Sequence, residues 1–165
     1  MTKEIDIDWS EYSPMVKRAY EFADKAHVNK TRWGGDPYIT HPIRVCMSLQ
    51  NKTPYNMATA LLHDVIEDTT YTEYDLRKHF CGVVVDAVVA VSKIKNENYF
   101  DFIVRIANSS EMAIIVKIAD ISDNLRDLKD GGMKIKYSLA RYILQKELIE
   151  RKNNKWRRNL PLYLQ

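Results

Sequence analysis

The stretch Pro54-Tyr55-Asn56-Met57-Ala58-Thr59-Ala60-Leu61-Leu62-His63-Asp64-Val65-Ile66-Glu67-Asp68 decides the fold class and carries the chemistry. Ala58, Leu61, Leu62, Val65 and Ile66 recur at helical spacing, which predicts a helix over 54–68 with one face in a core. Thr53 stands ready as its N-cap, and Pro54 suits the first turn. The other face carries His63, Asp64, Glu67 and Asp68. Helix neighbours differ by about 100° in direction, so His63 and Asp64 flank a common point and Glu67 and Asp68 sit one turn on. Three carboxylates at i, i+3 and i+4 repel one another, and at a helix C-terminus they also oppose the macrodipole. A bound cation is the simplest compensation for two broken local rules. The plainer alternative is a solvated acidic helix end with a surface histidine.

Outward from this stretch the chain reads as helical. Five Gly and five Pro in 165 residues are too few to punctuate the many short strands of a sandwich or barrel. The pattern predicts helices at about 14–29, 42–50, 54–68, 72–80, 83–93, 99–107, 111–129 and 134–152, with Lys30 to Thr40 as a loop. Ser13-Pro14 and Thr72-Glu73-Tyr74-Asp75 are start signals, the second resembling a capping box, and Gly131-Gly132 is a stop. We expect a single domain over 1–165, with its core at about 14–130 and a basic helical segment at about 134–158.

Composition narrows the function classes. A hydrophobic content of 45% excludes a disordered chain, and a net charge of +3 gives no sign of nucleic-acid binding. The basic run Lys146 to Arg158, interleaved with Leu148, Ile149 and Trp156, reads as a packing helix with a solvated face, so nucleic acid is not an expected partner. Cys46 and Cys81 form neither a disulfide framework nor a thiol zinc site. The polar start of the chain and an apolar run broken by Asp86 predict no membrane segment and a cytoplasmic protein. Homo-oligomer formation is left open.

A mixed imidazole and carboxylate site needs further ligands. His41 precedes Pro42, which predicts an extended residue at the mouth of a helix, and alone it reads as an ordinary cap. In the helix 111–129, Ile114, Ile115, Ile118, Ile121 and Leu125 form the core stripe, so periodicity puts Lys117, Asp120 and Asn124 on a solvent face.

Three segments together carry more than their spacing. Arg32…Asp36-Pro37-Tyr38-Ile39-Thr40-His41-Pro42, then Leu61-Leu62-His63-Asp64-Val65-Ile66-Glu67-Asp68-Thr69, then Val116-Lys117-Ile118-Ala119-Asp120…Asn124 resemble the signature of HD-domain hydrolases of the RelA/SpoT-homologue type, over about residues 14–130. The resemblance implies an all-α, HD-type helical bundle. It implies His41, His63, Asp64 and Asp120 as ligands of one divalent metal ion, usually Mn²⁺, with Glu67 and Asp68 handling the attacking water. Arg32 and Asn124 would contact nucleotide or phosphate. The implied activity is removal of the 3′-pyrophosphate from guanosine tetra- or pentaphosphate (ppGpp or pppGpp). The alternatives are another nucleotide substrate, such as a nucleoside monophosphate or the 2′-phosphate of NADPH, and a non-catalytic nucleotide-binding sensor.

The residue types agree with that chemistry. Imidazole and carboxylate suit Mn²⁺ or Fe²⁺ and leave open positions for water and a phosphate oxygen. Glu67 is placed to take a proton from the water or to orient it, a task that Asp68 can share. Arg32 and Lys117 are counter-charges for a polyphosphate. Trp33 and Gly34 stand where the family commonly has a second basic residue and a serine or threonine. The chain has no Gly-rich phosphate loop that would house a synthetase activity.

Overall fold

The computed structural model describes residues 7–32, 34–128 and 131–158; Trp33 lies outside them. A 3-10 turn, Trp9–Glu11, precedes α1 (Pro14–Ala26), α2 (Thr40–Ser48), α3 (Pro54–Leu62), α4 (Val65–Asp68), α5 (Glu73–Arg77), α6 (Gly82–Val91), α7 (Tyr99–Ala107), α8 (Glu111–Asp127) and α9 (Gly132–Arg158). No strand occurs among the described residues beyond an isolated bridge between Thr31 and Pro37, so the fold is all-α. None of the described helices is long and apolar enough to cross a membrane.

Local chemistry sets most of the helix starts. Ser13 accepts from Val16 N, Thr53 from Asn56 N and Ser110 from Ala113 N, each meeting an amide that the helix itself leaves unpaired. Thr72 and Asp75 form the expected reciprocal capping box at α5.

Two expectations are corrected. The helix over 54–68 is interrupted: α3 ends at Leu62, and His63 and Asp64 form a turn before α4. His63 Nδ1 donates to Ala60 O at 2.7 Å across this turn, which fixes the ring where the helix breaks. His41 is not extended before Pro42 but lies in the first turn of α2. That turn starts where Thr40 N donates to Pro37 O and His41 N to Tyr38 O, and a proline so close to a helix start removes no intrahelical bond.

The two main clusters of buried side chains explain the site's position. One gathers residues of α1, α2, α3 and α6 with Val116 and Ala119 of α8. The other gathers Phe102, Ile103 and Ile106 of α7, Ala140 and Leu144 of α9, and Ile114 and Ile121 of α8. α8 therefore lies between two cores and has little free surface. Asp120, which periodicity assigned to solvent, is 4% exposed for that reason.

Candidate metal centre

Four side chains from three parts of the fold converge on one point. His41 comes from α2, His63 and Asp64 from the break between α3 and α4, and Asp120 from α8. His41, His63 and Asp120 each offer a ligand atom, all within 4.8 Å of one another. The approach is closer than that figure requires: His41 Nε2 lies 3.1 Å from Asp120 Oδ1 and 3.5 Å from Asp64 Oδ2. His63 Nε2 lies 3.1 Å from Asp64 Oδ2 and 3.6 Å from Asp120 Oδ1.

Proton positions follow from the outer partners. His63 Nδ1 donates to Ala60 O, and His41 Nδ1 donates to Asp123 Oδ2 at 2.7 Å, so each imidazole turns the lone pair of its Nε2 inward in the neutral state. His63 Nε2 is buried and makes no hydrogen bond. In that state two lone pairs and two carboxylate oxygens face one another, an arrangement that needs positive charge, from a metal ion or from a proton on an imidazole. Burial pushes the His63 pKa down, but Asp64 and Asp120 outweigh it and drive it well up. Burial raises Asp64 and Asp120, while His63 beside Asp64 and Lys117 beside Asp120 hold both below the usual carboxylate range. Neighbouring ligands around a divalent ion with bonds of about 2.1 Å stand roughly 3.0–3.4 Å apart; two of the donor separations, at 3.1 Å, fall in that range and the other two, at 3.5 and 3.6 Å, lie just above it. The residues present fit a divalent cation.

A second layer holds this centre. Asn124 Nδ2 donates to Asp120 Oδ1 at 2.7 Å, and Arg32 Nη2 donates to Asn124 Oδ1 at 2.9 Å. Lys117 Nζ pairs with Asp120 Oδ2 at 2.8 Å and lies over the Phe102 ring. Arg44 grips Asp123 through Nε and Nη2, at 2.8 and 2.9 Å. Tyr38, stacked on His27, gives its hydroxyl to Asp64 Oδ2 at 2.8 Å and also to Asp68 Oδ2.

The break at His63 and Asp64 changes what the two remaining carboxylates face. Asp68 turns toward Tyr38, whereas Glu67 Oε2 accepts from Lys93 N at 2.9 Å on the connection after α6. Partial burial, with Asp64 and Asp68 nearby, pushes the Glu67 pKa up despite the Lys93 amide and Lys117. All nine sequence-derived site residues except His63 border one cavity of about 760 Å³, and His63 stands immediately behind it, joined to Asp64. Tyr38, Arg44 and Asp123 were missed by sequence reasoning. Only Tyr38 carried a signal, as part of the segment before His41.

A helical bundle that gathers two imidazoles and two carboxylates beside a cavity is a metal-centre fold of the mixed nitrogen and oxygen type. The chain belongs to the HD domain family, whose model it matches over residues 19–145. It is 36% identical over 126 residues to the bifunctional (p)ppGpp synthase/hydrolase SpoT of Escherichia coli K12, an alignment covering 68% of this chain and 18% of that protein. It is 32% identical over 130 residues to the guanosine-3′,5′-bis(diphosphate) 3′-pyrophosphohydrolase of Aquifex aeolicus, covering 73% of this chain and 18% of that one. The chain thus spans less than a fifth of the length of these curated relatives. A solved structure described as a metazoan ortholog of SpoT that hydrolyzes ppGpp superposes with a TM-score of 0.66 at 27% identity, covering 84% of this chain and 85% of that one.

Proposed function

We propose that this protein is a metal-dependent phosphohydrolase that releases pyrophosphate from the 3′ position of ppGpp or pppGpp, with Mn²⁺ as its preferred ion. The observation that carries the reading is the buried, unpartnered His63 Nε2 turned toward Asp64 and Asp120 at the back of a cavity of nucleotide size. The names of the relatives supply the substrate class.

His41, His63, Asp64 and Asp120 would hold the ion, which when bound polarises a phosphoryl oxygen and lowers the pKa of an attacking water. Glu67, with its raised pKa, takes the proton of that water, and Asp68 orients it. Arg32 binds phosphate through its planar fork and is aimed by Asn124. Lys117 works through Asp120, neutralising part of the charge that the cation site concentrates. We also read the chain as one domain, because Met133 and Tyr137 of α9 line the same cavity as the α2 and α8 residues.

The test is incubation of the full chain with Mn²⁺ and, separately, ppGpp, GTP, NADPH and deoxynucleoside monophosphates, with products separated by chromatography. GDP and pyrophosphate from ppGpp, lost with EDTA and restored by Mn²⁺, support the reading. Orthophosphate as the first product, or full turnover in chelated protein, overturns it.

A further inference from the structure

We propose that Tyr38 is a positioning residue that fixes Asp64 and Asp68 relative to His41, and so sets the affinity of the centre for its cation; this rests on the reading of those residues as a metal site. The loop before α2 has no reason of its own to carry an aromatic residue into a cluster of carboxylates. Yet the Tyr38 ring lies flat on His27, with centroids 4.7 Å apart and planes within 13°. His27 is itself 3% exposed and fixed by Nδ1 donating to Ala23 O at 2.8 Å. The ring is therefore held from behind, at the end of α1.

Its backbone is held as well. Tyr38 N donates to Lys30 O at 2.9 Å, and Tyr38 O accepts from His41 N at 3.0 Å, so the residue that reaches Asp64 also starts the turn that carries His41. The hydroxyl reaches Asp64 Oδ2, the same atom that faces both imidazoles, and Asp68 Oδ2 one turn of α4 away. The single hydroxyl proton is thus shared between two carboxylates that would otherwise repel, and the residue ties Asp64 at the α3–α4 break to His41 of α2. Without it Asp64 Oδ2 keeps only His63 and His41 beside it, and more of the site's order must come from the ion when it binds.

Two variants separate the hydroxyl from the ring. Tyr38→Phe keeps the stack on His27 and removes only the oxygen; Tyr38→Leu removes both. Mn²⁺ binding to the full chain is measured by titration calorimetry or by the free-ion resonance signal, with melting temperature and steady-state kinetics on the same samples. Tyr38→Phe should melt near wild type and bind Mn²⁺ about 10-fold more weakly. At saturating Mn²⁺ its kcat should fall while KM changes less than about threefold. Wild-type Mn²⁺ affinity in Tyr38→Phe with loss only in Tyr38→Leu overturns the proposal, because the ring then serves packing alone. A Tyr38→Phe chain that fails to fold by circular dichroism overturns it too, since the hydroxyl would belong to the fold. The Mn²⁺ titration uses no nucleotide, so a failure of the substrate assignment leaves this result standing.

Discussion

His41 Nδ1 stands 2.7 Å from Asp123 Oδ2, an imidazole 2% exposed against a carboxylate 5% exposed. Burial raises the Asp123 pKa, but the His41 and Arg44 hydrogen bonds outweigh it and hold the group well below the carboxylate range. Asp123 therefore stays ionised, keeps the His41 proton on Nδ1 and leaves Nε2 to the metal centre. Asp123→Asn should weaken Mn²⁺ binding by about 10- to 100-fold, the usual worth of a carboxylate behind a metal-bound histidine. Asp123→Ala should also cost about 3 kcal/mol of stability, because Arg44 loses both of its bonds to that carboxylate. Metal titration and chemical denaturation measure the two effects on one set of samples.

Glu67 and His63 separate base from ligand. His63→Ala or Asp120→Ala removes a donor, so metal content and turnover should fall together. Glu67→Gln keeps the shape and the bond from Lys93 N, so metal should stay while turnover drops by roughly 10²–10⁴-fold. Glu67→Gln chains that lose their metal in elemental analysis would make Glu67 a ligand instead. Near-normal rates would move the base to Asp68.

The helical class and the meeting of His63 with Asp64 were legible because each rests on short-range rules: capping, periodicity and an excess of like charge. The break after Leu62 was not, because a continuous helix satisfies the same apolar spacing. Asp120 misled for the opposite reason. Its period is that of a solvent face, but α8 packs on both sides, and only tertiary contact reveals that. Asp123 and Arg44 lie 79 residues apart, and no local pattern announces their pairing.

Lys117 is only 11% exposed in its side chain, and its ammonium is 2.8 Å from Asp120. Burial alone would lower its pKa, and the Asp120 charge instead pushes it up. Lys117→Met leaves Asp120 with one cation fewer, so the metal-free protein should lose about 2–3 kcal/mol. Added Mn²⁺ should then raise the melting temperature of Lys117→Met more than that of wild type, since the ion replaces missing positive charge. Equal shifts in thermal denaturation would show that Lys117 does not share the charge of the centre.

Arg105 holds the segment that presents Lys93 to Glu67. It donates from Nε to Glu97 Oε1 at 2.7 Å and from Nη2 to Glu97 Oε2 at 2.9 Å, and it also meets Ala90 O and Ser92 O at the end of α6. The Arg105 bonds, with help from Ile94 N, hold the Glu97 carboxyl at about 2 instead of its ordinary 4.5, against the effect of burial. A carboxylate with a lowered folded-state pKa adds stability that is present above its unfolded value and lost as the pH falls through the folded value. The contribution should therefore be complete above about pH 5 and vanish near pH 2. Glu97→Gln should cost about 1 kcal/mol at pH 7, the scale of a partly screened bidentate pair. The difference from wild type should shrink as the pH is taken from 5 toward 2. Denaturant titrations of both proteins at pH 7, 4 and 2.5 measure it, and a gap that stays constant across the three would show that packing, not the ion pair, is what Glu97 contributes.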